Sequence, residues 1–352
     1  MIITHVSYER LDLRLSEPYT IAYETVAHAT NFILKIETRT KLLGYGCAAP
    51  DFTVTNETPL EVRDAIENSI IPYLKGKDAF MSTRILEELK VLLKTCSSAL
   101  AMVDMALLDL RAKKMDVPLY QFLGGYRHSI PTSITVGILT VEDTLRAAAE
   151  FVKQGFYILK IKGGLSVDED VEKMLRIREM FPEIQLRFDG NQGYSVAQAL
   201  DFVSRSKTAK IEIFEQPTVV GKDEHMGLVT EGTSIPVMAD ESLKNLEDAF
   251  RLAQNKRINM VNIKLMKVGG IREAMHINSV AKSAGYEAMV GCIDECSLGI
   301  SAGLHFSLSR SNIQHADLDG HLDILEDPFS GIFSLKKGIL YPSDKPGLGF
   351  VE

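Results

Sequence analysis

Cysteine is scarce. Cys47, Cys96, Cys292 and Cys296 are the four in a chain of 352 residues, too few for a stapled extracellular scaffold of this length. Cys292 and Cys296 stand four apart, but no second pair at zinc-site spacing is present, so the thiols read as free in a reducing compartment. No basic run is present either. Lys and Arg number 39 against 47 Asp and Glu, a net charge of −8, which argues against nucleic acid or an anionic membrane as partner. Long apolar runs are also missing. The amino terminus, MIITHVSYERLDLRL, is broken by His5, Glu9, Arg10 and Asp12, and Ala99 to Leu110 by Asp104 and Asp109, so neither a signal peptide nor a membrane span is expected. A glycine-rich dinucleotide fingerprint is absent, since Gly163–Gly164 and Gly269–Gly270 lack the further glycine it requires. These absences predict a cytoplasmic protein with neither nucleic-acid nor membrane partners.

What is present is a composition 45% hydrophobic and 24% charged, enough for a large core and for two domains, or one barrel with an elaboration. Residues 1–50 alternate as an antiparallel meander, in HVSYERLDLRL and NFILKIETRTKLLGYG. Helical spacing comes next, over Thr58–Leu74, Ser82–Leu93 and Ser97–Lys113. From about residue 130 a beat sets in. Short apolar strands occur at TSITVGI, YILKIKG, IQLRFDG, IEIFEQP, IPVMADE, MVNIKLM, YEAMVGC and IQHADLD. Their end markers Gly137, Lys162, Asp189, Glu215, Asp240, Lys264, Gly291 and Asp317 are 24 to 27 residues apart. That is the length of one strand–helix unit, and eight such strands predict a (β/α)8-type barrel. The tail carries the hairpin pattern FSLKKGILYP and is expected to pack back on the first domain. The predicted division is an α+β capping domain at 1–123 with the tail 324–352, and a barrel at 124–323.

Charged residues end these strands, where barrels keep their chemistry. Lys160 and Lys162 lie two apart and point the same way. Asp189, Glu215 and Asp240 close strands 3, 4 and 5, so three hard oxygen donors converge and favour magnesium over zinc. Strands 2 and 6 are opposite in a ring of eight, so Lys162 and Lys264 face one another. Asp317 and Asp319 end strand 8, across from the metal site. A ligand anionic at one end and cationic at the other fits between them, with its central carbon between two lysines. Proton removal from one face and return from the other is a 1,1-proton transfer: racemisation or epimerisation. A lysine lowered in pKa by the Lys160 ammonium and the metal is the expected base. Taken singly, each carboxylate also reads as a helix cap or ion-pair partner, and Met238, Met260 and Met266 as core filler.

The chain resembles the enolase superfamily, in its muconate-lactonising subgroup, and most of all the dipeptide epimerases. The resemblance runs over the whole length. YILKIKGG matches the family's Lys-x-Lys strand, RFDGNQGY, IFEQP and MADES its three metal-ligand strands, and NIKLMKVGGI the strand of the second base. It implies a (β/α)7β modified TIM barrel with a capping domain built from the N-terminal third and the C-terminal tail. It also implies one magnesium ion per subunit on Asp189, Glu215 and Asp240, and a two-base reaction of Lys162 and Lys264 through an enediolate. The Asp-x-Asp of HADLDGHLD, Asp317 and Asp319, matches the pair that holds a dipeptide's α-ammonium. Cycloisomerases and o-succinylbenzoate synthases of the same superfamily, whose substrates lack that ammonium, are the alternative reading; a non-catalytic barrel is a remoter one. The best-known members invert L-Ala-D/L-Glu, a murein peptide, and set an arginine in a capping loop where PYTIAYETV places Glu24. Glu24, with Lys160, Thr135, and Asp294 and Glu295 of GCIDECSLG, completes the candidate substrate contacts, and with Asp51 in the other capping loop the acid-lined mouth points to cationic or broad side-chain preference. The expected partners are a dipeptide and further copies of the chain in a homo-oligomer.

Overall fold

The computed structural model describes residues 1–21 and 24–352, with side chains described outside 17–26. The first strands are β1 (Ile3–Ile21), β2 (Glu24–Thr38) and β3 (Leu43–Ala48), an antiparallel sheet in that order. Alternation gives β2 two useful faces. Phe32, Leu34 and Ile36 pack on the helices of the first domain, while Ala29 and Ile33 join the main core. The first of those helices starts at Pro59 under a Thr58–Glu61 capping box and carries one π-helical stretch at Ile66–Ile70 before Leu74. Helix Ser97–Lys114 is apolar nearly all round because it lies between cores: Met102, Val103, Ala106 and Leu107 serve one, Ala101, Met105 and Ala112 the other. Gly46 of β3 touches it so closely that a Cβ there would collide with the Met102 carbonyl oxygen.

The two aspartates of this helix are buried and partnered. Asp109 pairs with Lys113 at 2.7 Å and accepts the N–H groups of Tyr45 and Leu348, so it ties the helix to β3 and to the tail. Asp104 accepts the Arg272 N–H at 2.9 Å, at the start of helix Ile271–Ala284, and so ties the first domain to a helix of the barrel.

After β4 (Ile130–Pro131) come the barrel strands β5 (Ile134–Val136), β6 (Ile158–Lys162), β7 (Gln185–Asp189), β8 (Ile211–Glu215), β9 (Val237–Ala239), β10 (Met260–Lys264), β11 (Glu287–Gly291) and β12 (Ile313–Asp317). They form one parallel sheet in sequence order, and the Thr132–Ala316 bridge and the Ser133 N–H donating to the Ala316 carbonyl bring its edges together. Helices come after each strand but the last, where only a short 3-10 turn stands. This is the (β/α)7β pattern. The period has a physical origin: Lys162 pairs with Asp189 and Asp189 with Glu215 on one side of the barrel, and Lys264 with Gly291 and Gly291 with Asp317 on the other. These end markers form two rungs, offset at β9, where Met238 pairs with both Glu215 and Met260. Inside the barrel, Ile213, Met238, Met260 and Met289 pack together and fill the interior. Met266 belongs to the main core.

The tail does more than return to the first domain. β13 (Phe333–Lys336) and β14 (Ile339–Pro342) turn through Lys337 and Gly338, both at positive φ, and β14 pairs with β4 beneath the barrel. The tail reaches the capping sheet at both its ends, through the Leu15–Ile324 bridge and the Leu325 N–H donating to the Arg14 carbonyl, and through Lys35–Glu352 and the Tyr45–Phe350 edge contact. Among the described residues no helix is long and apolar enough to cross a membrane.

Candidate active site

Lys160 is the hub. It is only 3% exposed, and its Nζ lies 2.8 Å from Glu215, 2.9 Å from Asp317 and 3.1 Å from Asp189. Burial disfavours its charge, but these carboxylates outweigh burial and hold its pKa well above the ordinary value. The aspartate at the end of β12 is therefore joined to the carboxylates of β7 and β8 through one ammonium, instead of standing apart from them across the cavity. Its other oxygen accepts the Ser133 hydroxyl at 2.6 Å, and Arg187, one layer down, donates to Ser133 and to the Ala316 carbonyl.

Asp240 has its own cations. Lys264 lies 2.9 Å from it, and Lys267, one helical turn on, bonds its carboxylate and its carbonyl. Burial raises the Asp240 pKa, yet the two lysines bring it well below the usual carboxylate range. Lys264, buried beside this carboxylate, is held above its usual value, the reverse of a lysine poised as a neutral base. Burial, offset in part by Lys160, pushes Glu215 up to about 8, and its Oε1 accepts Asn262 Nδ2 at 2.7 Å. Gln216 fixes the neighbouring turn: its Oε1 accepts the N–H groups of Asp240 and Ser242.

Lys162 ends β6 half-buried, with no ion pair or hydrogen bond among the described residues. Lys264 ends β10, and three strands separate the two in the ring. Asp319 lies just past β12, where one oxygen accepts the Thr135 N–H at 2.7 Å. Burial and the Asp317 carboxylate push it up to about 6. It does not cap the short turn beyond it, so the capping alternative for this pair fails. Glu295 is buried in the loop after β11, accepts the Ile293 N–H at 3.2 Å, and is pushed up by burial to about 8. The Asp294 carbonyl accepts from Asn31 of the capping sheet. Asp51 turns its carboxylate into its own loop, accepting from Thr53 and Val54. It is a turn residue and leaves the acid-lined mouth without that member. The Glu24 side chain lies outside the described residues.

The donor chemistry fits a hard divalent cation. Asp189, Glu215 and Asp240 offer only oxygen, come from consecutive strands, and are buried to 1–3% exposure. As placed, ammonium groups supply the positive charge, and no three His, Cys, Asp or Glu among the described residues stand as a ready metal cluster.

Asn31, Ser133, Gln216, Asn262 and Lys267 carry no motif that singles them out in the sequence. Asn262 could have been found, because it lies two residues before Lys264 and so shares its face. Lys267 carried the same kind of signal at helical spacing beyond Lys264. The partners of Asn31 and Ser133 are too distant in sequence for any local pattern to reveal them.

Comparison with known proteins agrees along the whole chain. Residues 4–124 match the mandelate racemase/muconate lactonizing enzyme N-terminal domain, and residues 143–351 the enolase C-terminal domain-like family. An L-Lys-D/L-Arg epimerase of Desulforapulum autotrophicum is 39% identical, with 99% of each chain covered. The substrate-liganded L-Ala-D/L-Glu epimerase of Bacillus subtilis superposes with TM-score 0.96 at 35% identity, covering 100% of this chain and 99% of the other. A dipeptide epimerase of Methylococcus capsulatus, solved with Mg and L-Arg-D-Lys, gives 0.94 at 35% identity, with 100% of both chains covered. Fold, both domain matches and full-length relatives together establish that the chain belongs to the enolase superfamily, in its mandelate racemase/muconate lactonizing group.

Proposed function

We propose that this protein is a dipeptide epimerase that inverts the α-carbon of the dipeptide's C-terminal residue. The observation that carries the reading is the placement of Lys162 and Lys264 at the ends of opposing strands, β6 and β10, with carboxylates at the ends of the strands between. Each lysine would work one face. As a neutral amine, one takes the α-proton into its Nζ lone pair. The other, as an ammonium, returns a proton to the opposite face, and the roles exchange for the other epimer. Asp189, Glu215 and Asp240 would hold magnesium, which when bound supplies positive charge to the substrate carboxylate as negative charge grows there. With Asp240 engaged as a ligand, Lys264 would lose the partner that keeps it protonated.

Asp319, with Asp317 behind it, would receive the dipeptide's α-ammonium, which is separated from the carboxylate by one peptide unit. Thr135 orients Asp319 through its N–H. Glu24, Asp294 and Glu295 are the proposed side-chain readers, and the acidity of Glu24 and Asp294 favours Lys- or Arg-containing dipeptides. The name of the Desulforapulum autotrophicum relative, L-Lys-D/L-Arg epimerase, supports that direction. Proton NMR in deuterium oxide over a dipeptide library with magnesium tests the reading. Loss of the α-proton signal of the C-terminal residue is expected, in cationic dipeptides at least as fast as in L-Ala-L-Glu. Exchange in N-acyl amino acids or o-succinylbenzoate-type acids, with none in any dipeptide, would refute it.

A further inference from the structure

The loop after β11, residues 292–296, leads into helix Ser297–Ser309, whose start has no cap of its own. Cys296 sits at the capping position with extended backbone and makes no side-chain capping bond, where Ser, Thr, Asp or Asn would ordinarily satisfy the first N–H groups. The acceptors come from elsewhere. Asp327 of the tail accepts the Ser297 N–H at 2.6 Å, and Asn31 of β2 accepts the Cys296 N–H at 2.9 Å through its Oδ1. Asn31 is wholly buried and uses both ends of its amide: Nδ2 donates to the Asp294 carbonyl at 3.1 Å, and Oδ1 also receives the Cys47 thiol at 3.4 Å. One capping-domain side chain thus holds the loop at two backbone points, on either side of Glu295.

We infer that Asn31 is a positioning residue for substrate selection: it fixes this loop against the capping sheet, and so sets the wall on which the dipeptide side chain is read. The inference rests on the proposed dipeptide epimerase activity. The strand that carries Asn31 begins at Glu24, so one element links two stretches of the proposed specificity wall. Losing Asn31 frees two buried backbone groups without touching Lys162, Lys264 or the carboxylates that would hold magnesium. Substrate affinity should therefore change while turnover is kept.

The test compares Asn31→Ala with Asp109→Asn, which weakens a capping-domain junction away from the loop. Hydrogen exchange read by mass spectrometry on the full chain with magnesium should quicken at least tenfold in peptides spanning 292–300 of Asn31→Ala only. In the deuterium assay, KM for the preferred dipeptide should rise about tenfold, or 1.4 kcal/mol, with kcat within about twofold and the preference among dipeptides flattened. Asn31→Ser, polar but too short to reach both backbone groups, carries the same expectation should the alanine variant fail to fold. Unchanged loop exchange, an unmoved KM, or an equal KM rise in Asp109→Asn each overturns the inference while the wild type remains an active epimerase. A wild type that exchanges no dipeptide proton refutes the proposed function itself, and this inference with it.

Discussion

Replacing Lys160 by methionine removes one ammonium from among three buried carboxylates while roughly conserving volume. Asp189, Glu215 and Asp317, each at most 5% exposed, would lose partners at 3.1, 2.8 and 2.9 Å. Removing one member of a buried ion pair costs about 3–5 kcal/mol, because the charge left behind has neither water nor a counter-ion. Unfolding entropy of about 2.1 cal/mol/K per residue gives about 0.74 kcal/mol/K for a chain of 352 residues. In chelator, the Lys160→Met melting temperature should therefore fall by about 4–7 °C. Magnesium should then recover much of that fall, since a ligand at 100 times its Kd stabilises the native state by about 2.7 kcal/mol. In the wild type the Lys160 ammonium competes with the ion for the same carboxylates, so its melting temperature should rise less. Differential scanning calorimetry in EDTA and in excess magnesium reads both numbers. A variant melting within about 1 °C of wild type in EDTA, or equal rises with magnesium, would show that Lys160 is not what neutralises this cluster.

Lys162→Ala should stop α-proton exchange from one epimer and Lys264→Ala from the other, with magnesium binding by calorimetry preserved; normal exchange in both directions by either variant refutes the two-base assignment. N-acetylation of the preferred dipeptide and Asp319→Asn should each cost at least a hundredfold in kcat/KM, because each removes one side of the ammonium–carboxylate contact; a tenfold loss or less would place the ammonium elsewhere. Asp104 gives a pH test remote from the site. Burial pushes it up to about 6 from 3.8, so its contribution favours the fold below about pH 4 and is lost as pH rises through about 6, a difference of about 3 kcal/mol. Asp104→Asn should thus gain stability relative to wild type between pH 4 and 7 in thermal melts, and a constant difference across that range would contradict it.

The barrel was legible because its strands are short, buried and evenly spaced, and because the last residues of neighbouring strands pair on each side of the barrel. The markers Lys162, Asp189 and Glu215, and likewise Lys264, Gly291 and Asp317, are distant in sequence and adjacent in the sheet. The three-stranded meander was legible from period-two alternation. Side-chain direction beyond the strand ends was not. Nothing local shows that Asp51 spends its carboxylate on its own turn, or that Lys160 is bound by three carboxylates from β7, β8 and β12. The hairpin at Lys337–Gly338 was visible, but its pairing with Ile130–Pro131 depends on long-range packing.

The buried charges of the site bear on why so many carboxylates gather there. Asp189, Glu215, Asp240, Asp317 and Asp319 are five potential anions; without a cation Glu215 and Glu295, each pushed up by burial to about 8, hold their protons near neutrality, and Glu241, at about 7, does so in part. Lys160, Lys162, Lys264 and Lys267 are four potential cations. A two-base reaction requires one of the facing lysines to be neutral, which, with all five carboxylates ionised as metal and substrate binding demand, leaves three ammonium groups against five carboxylates, an excess of two negative charges. A zwitterionic dipeptide does not alter that balance, whereas one divalent cation cancels it. Without the cation, the neutral lysine is the state the site disfavours: Lys264 stays protonated on Asp240 and Lys160 among its three partners. Metal binding and release of the lysine proton are thus linked through the same carboxylates, so magnesium uptake should release protons to the buffer. Titrations in buffers of different ionisation enthalpy measure that release directly, and uptake without proton release between pH 7 and 8 would mean that the metal and the base are independent.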